Sequence, residues 1–293
     1  MITSIFSKSR PANYIIITTL LVVCYFLYLQ NFPETMETLQ GIGSKLALLL
    51  VLIGSLFIIN FVTKKNGLSK DNSFAFLIFF SFLILFPTTL GNTELILSNF
   101  FILLALRRLI SLQSLLTPKE KIFDASFWIF IASIFHFWSI LFILIVFVSI
   151  LFHVSRDYRN WVLPFIAFFS VGIIGLMYAL IFDTSLIDSI IDSAYIDFNF
   201  NYFTNNYQNF ALSLYVVVAL FFFVTQAVSI PSKPLNMQSS YKKIIVAFIL
   251  GAVVFLISSD KNNSMLIFTF APVAIMPTNQ IEAMQINWME ESI

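Results

Sequence analysis

The sequence predicts an all-α, polytopic integral membrane protein, and three observations support this class. Hydrophobic residues make up 59% of the 293 residues and charged residues only 11%, whereas a soluble domain carries about 25% charged residues. The mean hydropathy is +0.92. Several apolar runs approach or exceed the ~18 residues typical of a spanning helix, so we expect one transmembrane domain over residues 1–293, with about ten membrane helices and no soluble domain.

Positive charges define the predicted topology. Of the 16 Lys and Arg residues, all except Lys45 and Lys261 fall into five clusters between apolar stretches: Lys8 and Arg10; Lys64, Lys65 and Lys70; Arg107, Arg108, Lys119 and Lys121; Arg156 and Arg159; Lys233, Lys242 and Lys243. Short loops rich in Lys and Arg stay on the cytoplasmic side of a membrane. We therefore expect the clusters and both termini on the cytoplasmic side, and Lys45 and Lys261 on the outer side.

The apolar runs and their breaks predict the spans in order. The first four cover residues 14–30, 46–62, 73–86 and 95–112, and Pro87 ends the third. Later spans cover residues 161–182, 210–230, 244–257 and 265–276. The stretch at about 124–152 is either one long tilted helix or a short helical hairpin. A single span would place Arg156, Arg159 and the later lysines outside, so the charge pattern favours the hairpin.

The predicted outer loop at 183–209 contains several Asp residues and no Lys or Arg. In its first half, apolar residues alternate with polar ones in a pattern that suggests a short amphipathic helix on the membrane surface. These apolar residues are Leu186, Ile187, Ile190 and Ile191.

Carboxylates on the predicted outer side are the candidate catalytic residues. Glu34 and Glu37 follow the first span, where a carboxylate can act as a general base or hold a divalent metal. The alternative is that both are solvated loop residues. Glu94 begins the fourth span and is a candidate for substrate binding. It also suits a helix N-terminus, where it complements the helix dipole beside the capping residue Asn92.

Four further residues are candidates for substrate binding. His136 lies among aromatic residues at the predicted hairpin tip, either lining a cavity or simply satisfied by a packing partner. Lys45 and Lys261, with Asp260 beside the latter, stand out on an otherwise acidic face. An outward Lys near a membrane cavity can hold a lipid-linked phosphate as a point charge. The alternative is two ordinary interfacial lysines.

Other chemistries lack a signal in the sequence. The single cysteine, Cys24, allows no internal disulfide. A net charge of +1 predicts no nucleic-acid partner. No nucleotide-binding or metalloprotease motif is present. The spans carry neither a carboxylate at mid-membrane nor matched helix breaks, so transport is disfavoured.

Two resemblances extend this reading. Three stretches resemble a multi-pass membrane protein family of Bacteroidota: MITSIFSKSRPANYIIITTLLV, ELILSNFFILLALRRLISLQS and KEKIFDASFWIFIASIFHFWSILFILIVFVSILF. This resemblance implies a bacterial inner membrane and assigns no activity to the chain. The order of LALRRL, a basic loop and DASFWIFIASIFHFWSILFIL is similar to the core of GT-C glycosyltransferases, which use polyprenyl-phosphate sugars. In that family a short helix pair follows the fourth helix, and a catalytic Asp or Glu lies in the first outer loop.

The GT-C resemblance implies a glycosyltransferase, or a degenerate relative, with Glu34 or Glu37 as its base. The large periplasmic domain of many members is missing here. A second hypothesis is a non-enzymatic subunit or scaffold of an envelope complex with a membrane protein partner, favoured by the scarcity of titratable groups. Transport ranks third. Membrane lipid is an expected partner under all three hypotheses.

Overall fold

The computed structural model describes residues 6–31, 38–182, 185–198, 206–259 and 261–283, and these residues contain helices and no β-strand. The α-helices in chain order are α1 (Pro11–Leu29), α2 (Leu39–Lys65), α3 (Phe74–Leu85), α4 (Thr93–Ser111), α5 (Pro118–Phe135), α6 (Ile143–His153), α7 (Arg159–Ile181), α8 (Ser185–Ser193), α9 (Asn206–Ser229), α10 (Leu235–Ile257) and α11 (Ile267–Ala283). Short 3-10 helices cover Pro87–Gly91, Phe137–Phe142 and Asn263–Leu266.

The apolar composition of the helices agrees with a membrane environment. Six described helices (α1, α2, α4, α7, α9 and α10) are long and apolar enough to cross a membrane, and three shorter apolar helical stretches accompany them. A helix satisfies its own backbone hydrogen bonds, as a spanning segment must in lipid. The all-α class with membrane-length helices is therefore confirmed, whereas the number of about ten spans stays a prediction.

The span predicted at 244–257 was too short. In the structure α10 begins at Leu235, so Lys242 and Lys243 of the last cation cluster lie within the helix and not in a loop. Lys243 is fully buried, and its Nζ donates to the backbone oxygen of Leu109 at 2.6 Å. The polar residues before 244 suggested a loop. The helix can include them because Lys243 donates to the carbonyl end of α4 inside the bundle.

The stretch at 124–152 is a helical hairpin. After α5 the backbone is extended at His136, and the chain returns through Phe137–Phe142 and α6. Ser98 of α4 lies at the reversal, where its Oγ donates to the backbone oxygen of Ala132 at 3.0 Å and lies 2.6 Å from Ser139 Oγ. Helix α5 has 18 residues and begins at Pro118, before the start of the hairpin predicted at about 124.

An ion pair joins the start of α5 to the residues that follow α6, at the open end of the hairpin. Lys119 Nζ lies 3.4 Å from Asp157 Oδ2, so both arms begin and end on the same side of the bundle. The backbone N–H of Arg159 donates to the Asp157 carboxylate, and together with Lys119 this lowers the pKa of Asp157 below its ordinary value. The carboxylate therefore keeps its charge as the pH falls until the pH reaches that lowered pKa.

The five cation clusters meet at one end of the bundle, here called the basic end. Lys64 contacts Ser9 and lies 3.1 Å from Asp71, which joins the first cluster to the second. Arg107 lies over the ring of Phe61 in α2, joining the second to the third. Further contacts are Lys119 with Asp157, Lys242 over Phe152 and Ser240 with Gln113. The cytoplasmic orientation of this end stays a prediction.

Helices α10 and α11 approach each other closely at Gly251. A Cβ atom there would lie 2.8 Å from Thr269 Cγ2 and 3.0 Å from the backbone C and O atoms of Phe268. Small residues let membrane helices pack in this way. The turn before α11 and most of α11 are closely packed, since nearly every described side chain from Asn263 to Thr278 is buried.

We expect Gly251→Ala to lower the free energy of unfolding by about 1 kcal/mol, because an extra methyl group in a packed core forces the neighbouring backbone to move. The measurement is thermal unfolding of the purified protein in one detergent. Gly172→Ala is the matched control, since a Cβ there meets no atom within 4 Å. Equal stability of the two variants would contradict the close approach.

The described part of the predicted outer loop contains helix α8, residues 195–198 without regular secondary structure, and the first residues of α9. The backbone N–H of Asp197 donates to the backbone oxygen of Ile257, at the end of α10 opposite Lys243. The loop therefore packs at the end of the bundle away from the basic end. The placement of α8 on a membrane surface stays a prediction.

Candidate functional site

An open cleft of about 650 Å³, here called the polar cleft, lies at the end of the bundle opposite the basic end. Among the described residues, its wall combines one cation, one carboxylate, a phenol and several amides and hydroxyls. The polar residues that matter most are Tyr28, Lys45, Asn92, Glu94, Gln208 and Asn262. Such a wall suits a ligand rich in hydroxyl groups that also carries a negative charge.

The start of α4 positions one side of the polar cleft. Asn92 caps this helix, with its side-chain oxygen accepting from the backbone N–H of Leu95 at 3.1 Å. Glu94 therefore lies exposed in the first turn, where its charge complements the helix dipole. The capping role considered from the sequence is present, and the same geometry directs Glu94 to the cleft.

Helices α1 and α2 form the next side. Tyr25 Oη donates to the backbone oxygen of Lys45 at 3.0 Å, which fixes the start of α2 against α1. Tyr28 lies against Gly91, where a Cβ atom would come within 2.5 Å of the Tyr28 hydroxyl. Gly91 thus makes room for a phenol at the cleft wall. Neither Lys45 nor Glu94 forms an ion pair with another described residue.

The remaining side joins the start of α9 to the turn before α11. Asn263 Nδ2 donates to the backbone oxygen of Gln208 at 3.0 Å, and Ser264 Oγ donates to Thr88 Oγ1 at 3.1 Å. Asn262 Oδ1 is buried and accepts no hydrogen bond from the described residues. A buried acceptor without a partner is costly, so a donor from outside the described residues is expected there.

His136 and Lys261 form a separate packed cluster and do not line the polar cleft. Lys261 is buried, and its Nζ donates to the backbone oxygens of Asp197 and Ser258. His136 Nε2 lies 3.1 Å from Ser258 Oγ, and its ring stacks on Phe268. This arrangement fits the satisfied histidine that the sequence left as an alternative. Lys261 does not line the cleft, whereas the next residue, Asn262, does.

Three predicted residues, Glu34, Glu37 and Asp260, lie outside the described residues. Tyr28 and Leu29 before the first two, and Lys45 after them, nevertheless line the polar cleft. Among the described residues no group of three or more His, Cys, Asp or Glu side chains could hold a metal ion. Within the described wall Glu94 is the one carboxylate.

Several wall residues were missed from the sequence. Tyr28, Gln208 and Asn262 lie at ends of predicted spans on the same predicted side, and that shared location was the available signal. Because these residues are far apart in the chain, the sequence did not show which of them lie next to one another. From the sequence Arg107 and Arg108 were interpreted as topology anchors that contact anionic lipid headgroups. In the structure both of them, together with Lys121, line a cleft at the basic end.

The described residues thus define a helical membrane protein with a polar cleft at one end and a basic surface at the other. No family model, curated protein or solved structure matches the chain. The function is therefore argued from the cleft itself.

Proposed function

We propose that this protein is a membrane glycosyltransferase with a GT-C-like helix order, or a degenerate relative of that class. It would bind a polyprenyl-phosphate sugar in the polar cleft, on the periplasmic side of a bacterial inner membrane. The observation that carries the proposal is the convergence of Lys45 and Glu94. These two predicted substrate-binding residues lie in the first two turns of different helices and line one cleft.

The chemistry of the cleft wall supports this ligand class. Lys45 supplies a positive charge for the donor phosphate. Glu94, Asn92 and Gln208 offer carboxylate and amide groups suited to sugar hydroxyls, and Tyr28 adds a phenol. The helical hairpin that follows α4 agrees with the helix order implied by the GT-C resemblance. The polar cleft is open, which is compatible with a lipid-linked donor entering from the membrane.

In the proposed reaction an acceptor hydroxyl attacks C1 of the donor sugar. The bond between C1 and the phosphate oxygen breaks, its electron pair leaves on the polyprenyl phosphate, and a new glycosidic C–O bond forms. The acceptor proton passes to Glu34 or Glu37 as the general base. Lys45 stabilises the charge that develops on the leaving phosphate. No step is assigned to a metal.

The test uses the purified full chain and a short-chain polyprenyl-phosphate glucose with a radiolabelled sugar. We expect saturable binding, seen as a rise in the unfolding temperature, and transfer of the label to an added glycan acceptor. A double variant, Glu34→Gln with Glu37→Gln, should bind the donor and lose transfer. Binding without transfer by the native chain would identify the degenerate relative, and the absence of any binding would refute the proposal.

A second candidate is a non-enzymatic subunit of an envelope complex. In α7 and α9 only 22% of the most apolar window is buried, against 61% in α4. Lipid or the helices of a membrane protein partner would cover these faces. Recovery of a stoichiometric partner from mild detergent, together with the absence of donor binding, would favour this candidate over the enzyme.

A further inference from the structure

A second cleft, of about 490 Å³, lies at the basic end between the last turns of α2 and α4 and the first turn of α5. It is here called the basic cleft. Its charged wall consists of Lys65, Arg107, Arg108 and Lys121. It lies at the end of the bundle opposite the polar cleft and has no part in the proposed glycosyl transfer.

The positive charge of the basic cleft is only partly balanced. Arg108 lies 2.8 Å from the carboxylate of Asp124. The Arg107 guanidinium and Lys65 Nζ lie over the ring of Phe61, at 4.6 and 5.0 Å from its centroid. Cation–π contacts hold these side chains in place without neutralising them. Among the described residues Asp124 is the one carboxylate that pairs with this group.

Lys121 is fixed at the inner part of the cleft. It is only 9% exposed, and its Nζ donates to the backbone oxygen of Ser111 and to Ser114 Oγ, both at 2.8 Å. These bonds use two of its three N–H donors. Burial, and after it the positive charges of Arg108 and Lys65, lower the pKa of Lys121 below its ordinary value. A cation held against like charges is a group that an anion would stabilise.

Lys243 lies behind the cleft. It is fully buried, and its Nζ lies 3.2 Å from His153 Nε2. The carbonyl end of α4 faces both Lys121 and Lys243, because Ser111 and Leu109 each accept a hydrogen bond from one of these lysines. The excess of cations over carboxylates remains.

The edge of the basic cleft is apolar. Phe61 is 38% exposed and Leu116 is 70% exposed, and both line it. A cationic wall beside exposed apolar side chains matches a ligand that has a charged headgroup and a hydrocarbon chain. Basic pockets between membrane helices are known to bind anionic lipid headgroups.

We propose that the basic cleft is a specific site for a phosphate group, supplied by an anionic phospholipid. Arg107 and Arg108 would bind phosphate oxygens through their planar N–H groups, and Lys65 and Lys121 would act as point charges. The acyl chain would lie along Phe61 and Leu116. A diffuse attraction of the whole basic end for the membrane would not depend on these four residues in particular.

The test compares two charge-matched double variants of the full chain in an uncharged detergent. Lys65→Gln with Arg107→Gln removes one Lys and one Arg from the basic cleft. Lys242→Gln with Arg156→Gln removes the same charges from exposed positions outside it. The probe is short-chain phosphatidylglycerol, with phosphatidylcholine and inorganic phosphate as separate arms, and binding is followed by native mass spectrometry.

We expect one saturable phosphatidylglycerol, bound about tenfold or more weakly by the cleft variant and within about twofold of native by the matched control. Phosphatidylcholine should bind weakly and inorganic phosphate should not compete. If inorganic phosphate competes at a similar concentration, the basic cleft is still a phosphate site, but its ligand is a soluble phosphate and not a phospholipid. Equal loss in both double variants, or no saturable binding by the native chain, would overturn the proposal.

Discussion

Lys45→Gln should weaken binding of a polyprenyl-phosphate sugar by about 10- to 100-fold, since a hydrogen bond to a charged group contributes about 1.5–3 kcal/mol. The substitution leaves the backbone oxygen that accepts the Tyr25 hydroxyl in place, so the start of α2 should keep its position. Binding is measured by the ligand-induced rise in unfolding temperature over a range of ligand concentrations.

A ligand without phosphate gives the sharper comparison. The same sugar linked to an uncharged polyprenyl alcohol should bind the native chain and Lys45→Gln equally, because it offers no anion to Lys45. Lys70→Gln removes the same charge from an exposed position at the basic end and should leave both affinities unchanged. Equal losses for the charged and uncharged ligands would show that Lys45 acts on the shape of the polar cleft and not on a phosphate.

Ser98→Ala should lower the free energy of unfolding by about 1–2 kcal/mol, because it removes a hydroxyl that links α4 to both arms of the hairpin. Ser98 and Ser139 are both fully buried, so the Ser139 hydroxyl loses its partner in this variant. Thermal or denaturant unfolding in a single detergent gives the measurement.

A double-mutant cycle separates this link from a general loss of packing. Ser98→Ala with Ser139→Ala should cost less than the sum of the two single substitutions, because neither hydroxyl is then left alone. Ser170→Ala is the control, since the Ser170 hydroxyl donates to the backbone oxygen of Ile166 in its own helix. Additive costs would indicate that the two hydroxyls do not act together.

The class and much of the helix order could be predicted because they depend on local composition. Apolar runs, Pro87 and the alternation of charge led to the third helix at Phe74–Leu85 and to the hairpin that reverses at His136. Long apolar runs are sufficient for a spanning helix, and clusters of Lys and Arg indicate which ends share a side. Packing between distant helices was not needed for either conclusion.

The two clefts could not be predicted, because they depend on contacts between distant helices that residue composition does not specify. The wall of the polar cleft combines Tyr28, Glu94 and Gln208 from three helices that are far apart in the chain. Lys261 was expected to face a ligand, yet it is buried against backbone oxygens. Lys243 was assigned to a loop, yet it lies fully buried in α10. Each result depends on which helix faces which, and one sequence does not specify that.

The hairpin of α5 and α6 has a consequence for how this segment enters the membrane during synthesis. Between Ala125 and Ser155 the sequence contains no Asp, Glu, Lys or Arg, and the paired charges Lys119 and Asp157 lie beyond its two ends. Moving a charged side chain to the centre of a bilayer costs about 2.5–3.5 kcal/mol on insertion scales. The two arms can therefore insert together as one unit, with no ionised carboxylate, ammonium or guanidinium group crossing the bilayer.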